Sequence, residues 1–316
     1  SFYKYVIIKD PNLFRNNLFI SFNNINVLGR IYISKEGINA QISVPEQNYN
    51  NFISIIKSYD CLSKLDLKKA VQEGRSFYKL TIKVRKELVA YGISKDSYDM
   101  NKVGKHLDTE TYNQAMNNSD SLIVDMRNYY ESEIGRFKNA IIPDVETSKE
   151  LLPEVKRLLK GKEKKQVLLY CTGGIRCEKA SSYLIKNGFE NVNQLKGGII
   201  QYAHDIKEKK IKSKFIGRNF VFDNRLSECV TNDILSNCHI CNKPCDMHTD
   251  CNNDACHILF IQCKSCKEFL EGCCSKECQD FFNLPLEKQK LLRKDPSKVV
   301  SKTFFDSRIK PKLNLK

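Results

Sequence analysis

The sequence has no run of apolar residues long enough to cross a bilayer, and no segment at its start resembles a signal peptide. We therefore expect a soluble cytoplasmic protein with no membrane partner. The sequence also lacks a flavin or dinucleotide fingerprint and the His-His-carboxylate motif of a non-haem iron site. It thus offers no motif for flavin, nicotinamide or iron. Apolar residues make up 41% and charged residues 28% of the 316, which is enough to support folded cores.

Negative charge is scarce, because 37 acidic residues stand against 52 Lys and Arg, for a net charge of +15. An excess this large favours a polyanionic partner, and nucleic acid before a membrane since no amphipathic anchor is visible. Residues 207–214 hold five lysines and one acid, and residues 285–316 hold ten Lys or Arg and three acids. Both segments are candidates for phosphate contact, and Tyr202, Phe215 and Phe220 are candidates for stacking on a base. The alternative is a solvated lysine face with ordinary core aromatics.

The order of strand and helix patterns predicts an α/β protein of several domains. Residues 1–92 follow the order βαββαβ, which is that of a ferredoxin-like α+β domain. A second domain should contain a parallel sheet covered on both faces, because Gln166–Tyr170 is a continuous apolar strand followed by a helical segment. We place a connector at 93–120, this second domain at 121–215, a small cysteine-rich module at 225–285 and a basic tail at 286–316.

A cysteine follows the apolar strand directly, in the loop Cys171-Thr172-Gly173-Gly174-Ile175-Arg176 that precedes a helix. The two glycines let the backbone curl so that several N–H groups point inward, and the start of the helix adds its positive end. A thiolate at the centre of such a loop has a lowered pKa and is a good nucleophile. We therefore predict that Cys171 is catalytic, that Arg176 is a fixed cation beside it, and that Thr172 to Ile175 form the rim.

The length of this loop bears on its chemistry. Phosphatases use Cys-x5-Arg, whereas four residues separate Cys171 from Arg176, and the smaller ring suits a single sulfur on the cysteine. From the residues alone, the chemistry is that of a sulfurtransferase with a Cys171 persulfide, although a low-pKa thiolate can also be oxidised to a sulfenic acid. Cys177 is either a residue that resolves these species or a core residue on the first helical turn. For Cys171 itself, the alternative is a buried structural cysteine.

The segment upstream of the loop resembles the first signature of the rhodanese superfamily, Asp-x-Arg followed by Gly-His-Ile-x-Gly-Ala. Asp125-Met-Arg127 and Gly135-Arg-Phe-x2-Ala140 match it, with Arg136 and Asn139 in place of the common His and Gly. The resemblance implies a rhodanese-type domain in which Asp125 and Arg127 brace the loop and its rim. A structural salt bridge at the strand end is an equally open interpretation of these two residues.

From about residue 3 to 285, the chain resembles the rhodanese-type tRNA uridine hydroxylases, which convert the wobble uridine to 5-hydroxyuridine using oxygen. Three motifs carry the resemblance: Gly29-Arg-Ile-Tyr-Ile-Ser-Lys-Glu-Gly-Ile-Asn39, Cys171-Thr-Gly-Gly-Ile-Arg-Cys-Glu-Lys179 and Cys238-His-x-Cys241-x3-Cys245. It implies tRNA as partner, oxygen as co-substrate and Cys171 as the catalytic cysteine. A sulfurtransferase is the second hypothesis, and a non-catalytic module that binds RNA is the third.

Eleven of the fourteen cysteines fall between Cys229 and Cys278, and such a cluster in a reducing cytosol is more often a metal site than a set of disulfides. Two Cys-x2-Cys knuckles are close to a zinc-ribbon pattern and predict a structural zinc site of Cys238, Cys241, Cys263 and Cys266. A second site would use Cys245, Cys251, Cys274 and Cys278. The candidates for substitution in either site are Cys256, Cys273, His239, His248 and His257. Reduced structural cysteines, or disulfides in oxidised protein, are the alternatives.

Overall fold

A computed structural model describes residues 1–68, 76–145 and 147–294. In this part of the chain, no helix is both long enough and apolar enough to span a membrane. The chain forms two compact units. The first consists of Ser1–Met126, Ser148–Ile211 and Val221–Arg225, and the second of Arg127–Thr147, Lys212–Phe220 and the residues from Leu226 onward. Because the units interleave along the chain, the domain boundaries given above stay predictions, and residues 295–316 of the basic tail lie outside the described residues.

Strands and helices alternate along most of the chain. Up to Met126 the elements are β1 (Phe2–Tyr5), α1 (Pro11–Asn24), β2 (Leu28–Ser34), β3 (Gly37–Ser43), α2 (Tyr49–Ser58), β4 (Leu80–Val84), β5 (Lys105–Leu107), α3 (Thr109–Ala115) and β6 (Leu122–Asp125). After it come α4 (Tyr129–Glu133), β7 (Gly135–Phe137), α5 (Ser148–Leu158), β8 (Gln166–Tyr170), α6 (Ile175–Lys186), β9 (Asn191–Leu195), α7 (Gly198–Glu208), β10 (Phe215–Phe220), β11 (Ser227–Cys229), β12 (His248–Asp250), β13 (Leu259–Ile261), α8 (Lys264–Phe269), α9 (Lys276–Phe282) and α10 (Leu286–Arg293). The predicted fold class is confirmed.

The first four strands form one sheet of the first unit, in the order β1-β3-β2-β4. β3 is antiparallel to both β1 and β2, and β4 runs parallel to β2. Helix α1 begins at Pro11 because the Asp10 carboxylate accepts hydrogen bonds from the N–H groups of Asn12 and Leu13. Alternate strand positions and one face of each helix supply the core, which includes Leu18, Phe22, Ile31, Ile33, Ile38, Phe52 and Ile56. The predicted βαββαβ order is confirmed.

The second sheet of this unit is entirely parallel, in the order β5-β9-β8-β6. The central strand β8 is buried from Val167 to Tyr170, as its unbroken apolar sequence predicts. Asp125 at the end of β6 pairs in register with Tyr170 at the end of β8. The carboxyl ends of these strands meet at the same edge, which is where open α/β sheets bind their ligands. Cys171 is the next residue after β8, and thus lies at this edge.

In the second unit, β10 lies between β7 and β11 in an antiparallel sheet, and β12 and β13 form an antiparallel pair. Much of the core of its cysteine-rich part consists of sulfur. One cluster there contains only two buried side chains that are not cysteine, Ile258 and Phe260, beside Cys251, Cys256, Cys273, Cys274 and Cys278. Thiols therefore supply most of the buried side chains of this cluster.

Lys179 on α6 is a fully buried cation of the first unit. Its Nζ lies 2.9 Å from a carboxylate oxygen of Glu36 and 3.3 Å from one of Glu87. The Tyr98 ring centre is 5.1 Å away. Glu36 belongs to the turn between β2 and β3, so these ion pairs join that hairpin to the helix that follows the cysteine loop. A buried ammonium is tolerated only when it is paired in this way.

We predict that Lys179→Met lowers the free energy of unfolding by about 2–3 kcal/mol, because it leaves two carboxylates together without their cation. Chemical denaturation measures this difference. Lys186→Met is the matched control, since Lys186 lies on the same helix and is exposed, and it should change stability by less than about 0.5 kcal/mol. Equal stabilities for the two variants would contradict this account of Lys179.

Candidate active site

Cys171 lies between the last residue of β8 and the turn that starts α6, and its side chain is completely buried. Gly174 immediately precedes α6 with a φ of 103°, a left-handed conformation that favours glycine. Its N–H group points at the cysteine sulfur, with 3.1 Å between N and Sγ. A Cβ at this position would lie 2.7 Å from the Tyr3 hydroxyl. Both the backbone conformation and the close approach of Tyr3 therefore require glycine at 174.

The surroundings of Cys171 favour the thiolate. Burial acts to raise the pKa of this thiol, but it is outweighed by a hydrogen bond from the Cys177 thiol, by the charge of Arg176 and by the backbone N–H groups of Gly174 and Cys177. Together they lower the pKa of Cys171 from 9.0 to about 5. At neutral pH the sulfur is therefore an anion, which agrees with the prediction that the loop stabilises negative charge at its centre.

Cys177 is fully buried on the first turn of α6. Burial raises the pKa of Cys177 well above its ordinary value, and the hydrogen bond with Cys171 raises it further. Cys177 therefore stays a thiol and donates to the Cys171 thiolate. The structure brings the two sulfurs together, so Cys177 is a neighbour of the reactive sulfur as well as a core residue. Whether it resolves an oxidised Cys171 stays a prediction.

The other residues of the predicted loop and rim make hydrogen bonds of their own. Arg176 Nη2 donates to Thr172 Oγ1 at 3.1 Å, and the guanidinium lies 5.9 Å from the centre of the Phe222 ring. The Ile175 carbonyl accepts a hydrogen bond from the Tyr5 hydroxyl at 3.2 Å. Arg176 is thus held by contacts at both its side chain and its neighbouring backbone, which fixes its charge beside Cys171.

Asp125 and Arg127 occupy different units. The buried Asp125 accepts a hydrogen bond of 2.7 Å from the Tyr170 hydroxyl, one residue before Cys171. In the second unit, Arg127 Nη2 donates to the Gly135 carbonyl at 2.6 Å, and its guanidinium lies 5.7 Å from the Phe215 ring centre. Asp125 therefore supports the strand end that carries the loop. The role of Arg127 at the rim stays a prediction.

Four side chains from the first 92 residues bond the loop or the helix behind it, and none of them was predicted from the sequence. Lys68 Nζ donates to the Gly173 carbonyl. The Tyr3 hydroxyl donates to Glu178 Oε1 at 2.9 Å. The Tyr5 hydroxyl donates to the Ile175 carbonyl at 3.2 Å, and the Tyr91 hydroxyl donates to the Arg176 carbonyl at 3.1 Å. Each pair is separated by at least 85 residues. No local signal marks such contacts, although Glu178 belongs to a motif that the sequence did single out.

The cysteine-rich part contains two groups of four thiols that could each hold a metal ion. In each group, all four sulfurs lie within 4.8 Å of one another. The first group is the predicted one and consists of Cys238, Cys241, Cys263 and Cys266. The second group is buried and consists of Cys251, Cys256, Cys274 and Cys278. Sulfur pairs in these groups lie 3.6, 3.7 and 3.6 Å apart. A tetrahedron with Zn–S bonds of about 2.3 Å has edges of about 3.8 Å, so both donor sets fit zinc.

The second group differs from the predicted one in a single member. Cys256 occupies the place that the sequence analysis gave to Cys245. The backbone of Cys245 is instead bonded to Ser236, two residues before Cys238 of the first group. Burial raises the pKa of Cys245, and the charges of Cys238 and Cys263 raise it further. Cys256 was only named as a substitute, because spacing alone does not say which cysteine a turn directs inward.

The aromatic residues proposed for stacking are not available for it. Tyr202, Phe215 and Phe220 are each completely buried. A buried ring cannot stack on an incoming base, so this prediction is wrong and the alternative of ordinary core aromatics holds. They supply the buried faces of α7 and β10, the two elements that flank the lysine run in the sequence.

Three family models match the chain in order. Residues 1–88 match the UPF0176 acylphosphatase like domain, residues 108–205 the rhodanese-like domain, and residues 216–279 the C-terminal domain described as Rhodanase C-terminal. These matches and the cysteine loop at the edge of a parallel sheet define a rhodanese-like α/β protein with an acylphosphatase-like domain before it.

Similar proteins identify the family. A protein of Leptospira interrogans named tRNA uridine(34) hydroxylase is 48% identical over 99% of this chain and 86% of its own. One of Yersinia pestis with the same name is 48% identical over 93% of this chain and 83% of its own. The solution structure of a rhodanese-like domain from Anabaena, 18% identical, covers 35% of this chain and 78% of its own, with a TM-score of 0.29. Because these two relatives are 48% identical over nearly the whole chain, the chain belongs to the tRNA uridine(34) hydroxylase family.

We predict that alkylation of Cys171 by iodoacetamide has its midpoint near pH 5, the pKa that the loop gives it. Because this pKa is lowered, the thiolate is fully formed at neutral pH and is lost as the pH falls through 5. Peptide-resolved mass spectrometry measures the rate, and each cysteine is scaled to its own plateau so that burial does not affect the midpoint. Cys61 is the internal control, since burial raises its pKa above 9.0. Equal midpoints for Cys61 and Cys171 would contradict the stabilised thiolate.

Proposed function

We propose that this protein hydroxylates uridine 34 of tRNA, the wobble nucleotide, to 5-hydroxyuridine, with oxygen as co-substrate and Cys171 as the catalytic cysteine. Two relatives at 48% identity over nearly the whole chain are named tRNA uridine(34) hydroxylase, which supports hydroxylation of this nucleotide. The observation that carries the catalytic assignment is the buried Cys171 thiolate, bonded by the Gly174 N–H at 3.1 Å. The net charge of +15 suits a polyanionic substrate. With tRNA as substrate, the protein works in the cytoplasm.

The thiolate supplies a nucleophile for the uracil ring. Attack of the Cys171 sulfur on C6 forms an S–C6 bond and moves the electron pair of the C5–C6 double bond to C5, which becomes the carbon that takes up oxygen. Loss of the C5 proton and departure of the thiolate restore the double bond. Insertion of one atom of O2 consumes two electrons and two protons from a reductant and solvent, and the second atom leaves as water. The base must leave its stack to reach a sulfur this deeply buried.

Sulfur transfer through a Cys171 persulfide is the second candidate. The specific observation in its favour is the short Cys-x4-Arg loop, whose inward N–H groups suit an added sulfur as well as a thiolate. The two functions differ in the mass of the resting enzyme. A persulfide adds one sulfur atom to the Cys171 peptide and is removed by a thiol reductant, whereas the hydroxylase has the unmodified cysteine.

We predict that Cys171→Ser abolishes formation of 5-hydroxyuridine in purified tRNA, by at least about a hundredfold, because an alcohol is not ionised near neutral pH. Mass spectrometry of the digested nucleosides measures the product. Cys61→Ser is the control, since Cys61 lies in the same unit and packs against the core of the first sheet, and it should retain activity. Full activity of the Cys171→Ser enzyme, with an unchanged thermal midpoint, would exclude Cys171 as the catalytic residue.

We propose that the two cysteine groups bind one zinc ion each and that both ions are structural. Four thiolates close the coordination sphere and leave no position for a substrate. The zinc ions would add to the small apolar core of this part of the chain. The thiols of the second group are all buried, whereas Cys241 of the first group is exposed, so chelators should reach the first ion sooner.

We predict two zinc ions per chain in the wild-type protein, two in Cys245→Ser and one in Cys256→Ser. The reason is that Cys256, and not Cys245, completes the second group. Elemental analysis of anaerobically purified protein gives the stoichiometry. The pair is well matched, because both cysteines are buried in the same part of the chain. The opposite result, one zinc lost with Cys245→Ser only, would restore the grouping predicted from the sequence.

A further inference from the structure

Side chains from the first 92 residues hold three backbone carbonyls around the cysteine loop. Lys68 Nζ donates to the Gly173 carbonyl, the Tyr5 hydroxyl to that of Ile175, and the Tyr91 hydroxyl to that of Arg176. None of these donors is part of the rhodanese-like segment, which spans residues 108–205. The first part of the chain therefore contributes directly to the backbone conformation around Cys171.

Two of these carbonyls belong to the peptide groups that face the sulfur. In a trans peptide, the carbonyl of one residue and the N–H of the next point in opposite directions. The Gly173 carbonyl, bonded by Lys68, thus belongs to the same peptide group as the Gly174 N–H, which lies 3.1 Å from Cys171 Sγ. The Arg176 carbonyl, bonded by Tyr91, belongs with the Cys177 N–H, the other backbone donor that stabilises the thiolate.

We infer that Lys68 and Tyr91 are positioning residues that stabilise the Cys171 thiolate through the two peptide groups bonded to it. A donor on the carbonyl fixes the plane of the peptide group and polarises it, so that the N–H on the other side is a stronger donor to the anion. Lys68 also adds a positive charge on the same side of the loop. The inference rests on the proposed role of the Cys171 thiolate, and it assigns a part in that chemistry to Lys68 of the acylphosphatase-like domain and to Tyr91, which lies three residues after the end of that domain at residue 88.

Among the described residues, charged and titratable groups act with the Cys171 thiolate from two parts of the chain. Arg176 and the Cys177 thiol act from α6, and Lys68 and the Tyr3 hydroxyl act from the first part of the chain. Lys68 lies 5.2 Å from the centre of the Tyr3 ring. Burial lowers the pKa of Lys68, and the Cys171 thiolate is the main charge that opposes this change. Lysine and thiolate therefore stabilise each other's charged forms.

The test uses the full-length protein, iodoacetamide as the probe and no tRNA. The variants are Lys68→Met, which keeps the length of the side chain without the donor, and Tyr91→Phe, which removes only the hydroxyl. Their controls are Lys64→Met and Tyr78→Phe, two exposed residues of the same part of the chain. The rate of Cys171 alkylation is followed by peptide-resolved mass spectrometry from pH 4 to pH 9, and circular dichroism checks the fold.

In each of the two variants, the alkylation rate at pH 5 should fall roughly three- to tenfold, as expected for the loss of one hydrogen bond that acts on the thiolate. At pH 9 the rates should nearly agree with the wild type, because the thiol is then ionised in every protein. Lys68→Arg should restore most of the rate at pH 5. A merely structural role would change the thermal midpoint and leave the pH profile unmoved.

Profiles for both variants that match their controls would overturn the inference. If Lys68→Met does not fold, Tyr91→Phe and Lys68→Arg decide between the outcomes, since both are conservative. If Lys68→Met lowers the rate at pH 5 but Tyr91→Phe does not, the inference that both residues stabilise the thiolate is overturned as well. Because the assay contains neither tRNA nor a hydroxylation step, failure of the proposed function would appear in the nucleoside measurement and not here.

Discussion

A thiolate can persist in a fully buried position only if donors replace the water that it loses. For Cys171 those donors are the N–H groups of Gly174 and Cys177, the Cys177 thiol and the charge of Arg176. The position of the loop follows from this requirement: it needs the edge of a parallel sheet, a glycine with a left-handed backbone and the start of a helix. The remaining contacts of the first unit around the loop, including those of Lys68, fix the peptide groups that meet the requirement.

The loop could be predicted from the sequence because its parts are contiguous. An apolar strand, two glycines, Arg176 and a helix follow each other within a few residues, and each leaves a local pattern. The βαββαβ order was predictable for the same reason, since hydrophobic periodicity separates strands from helices. The ends of β4 were harder to predict from the sequence. The apolar alternation runs over residues 77–89, whereas the strand that pairs with β2 is only Leu80–Val84.

Contacts between distant parts of the chain left no such pattern. Nothing local to Lys68 or Tyr91 distinguishes them from a surface lysine and a core tyrosine, since their roles depend on tertiary packing. The cysteine groups could be predicted from the sequence only in part. The Cys-x2-Cys knuckles fixed the first group, but the second depends on which side of a turn each cysteine occupies, and Cys256 rather than Cys245 faces its centre.

The central claim is that the stabilised thiolate serves hydroxylation of the wobble uridine. The most direct measurement is mass spectrometry of tRNA nucleosides from cells with and without the gene for this protein. We predict that 5-hydroxyuridine and the nucleosides made from it fall sharply when the gene is absent, while thiolated uridines stay at their normal level. Unchanged 5-hydroxyuridine together with loss of a thiolated uridine would contradict it and would favour sulfur transfer.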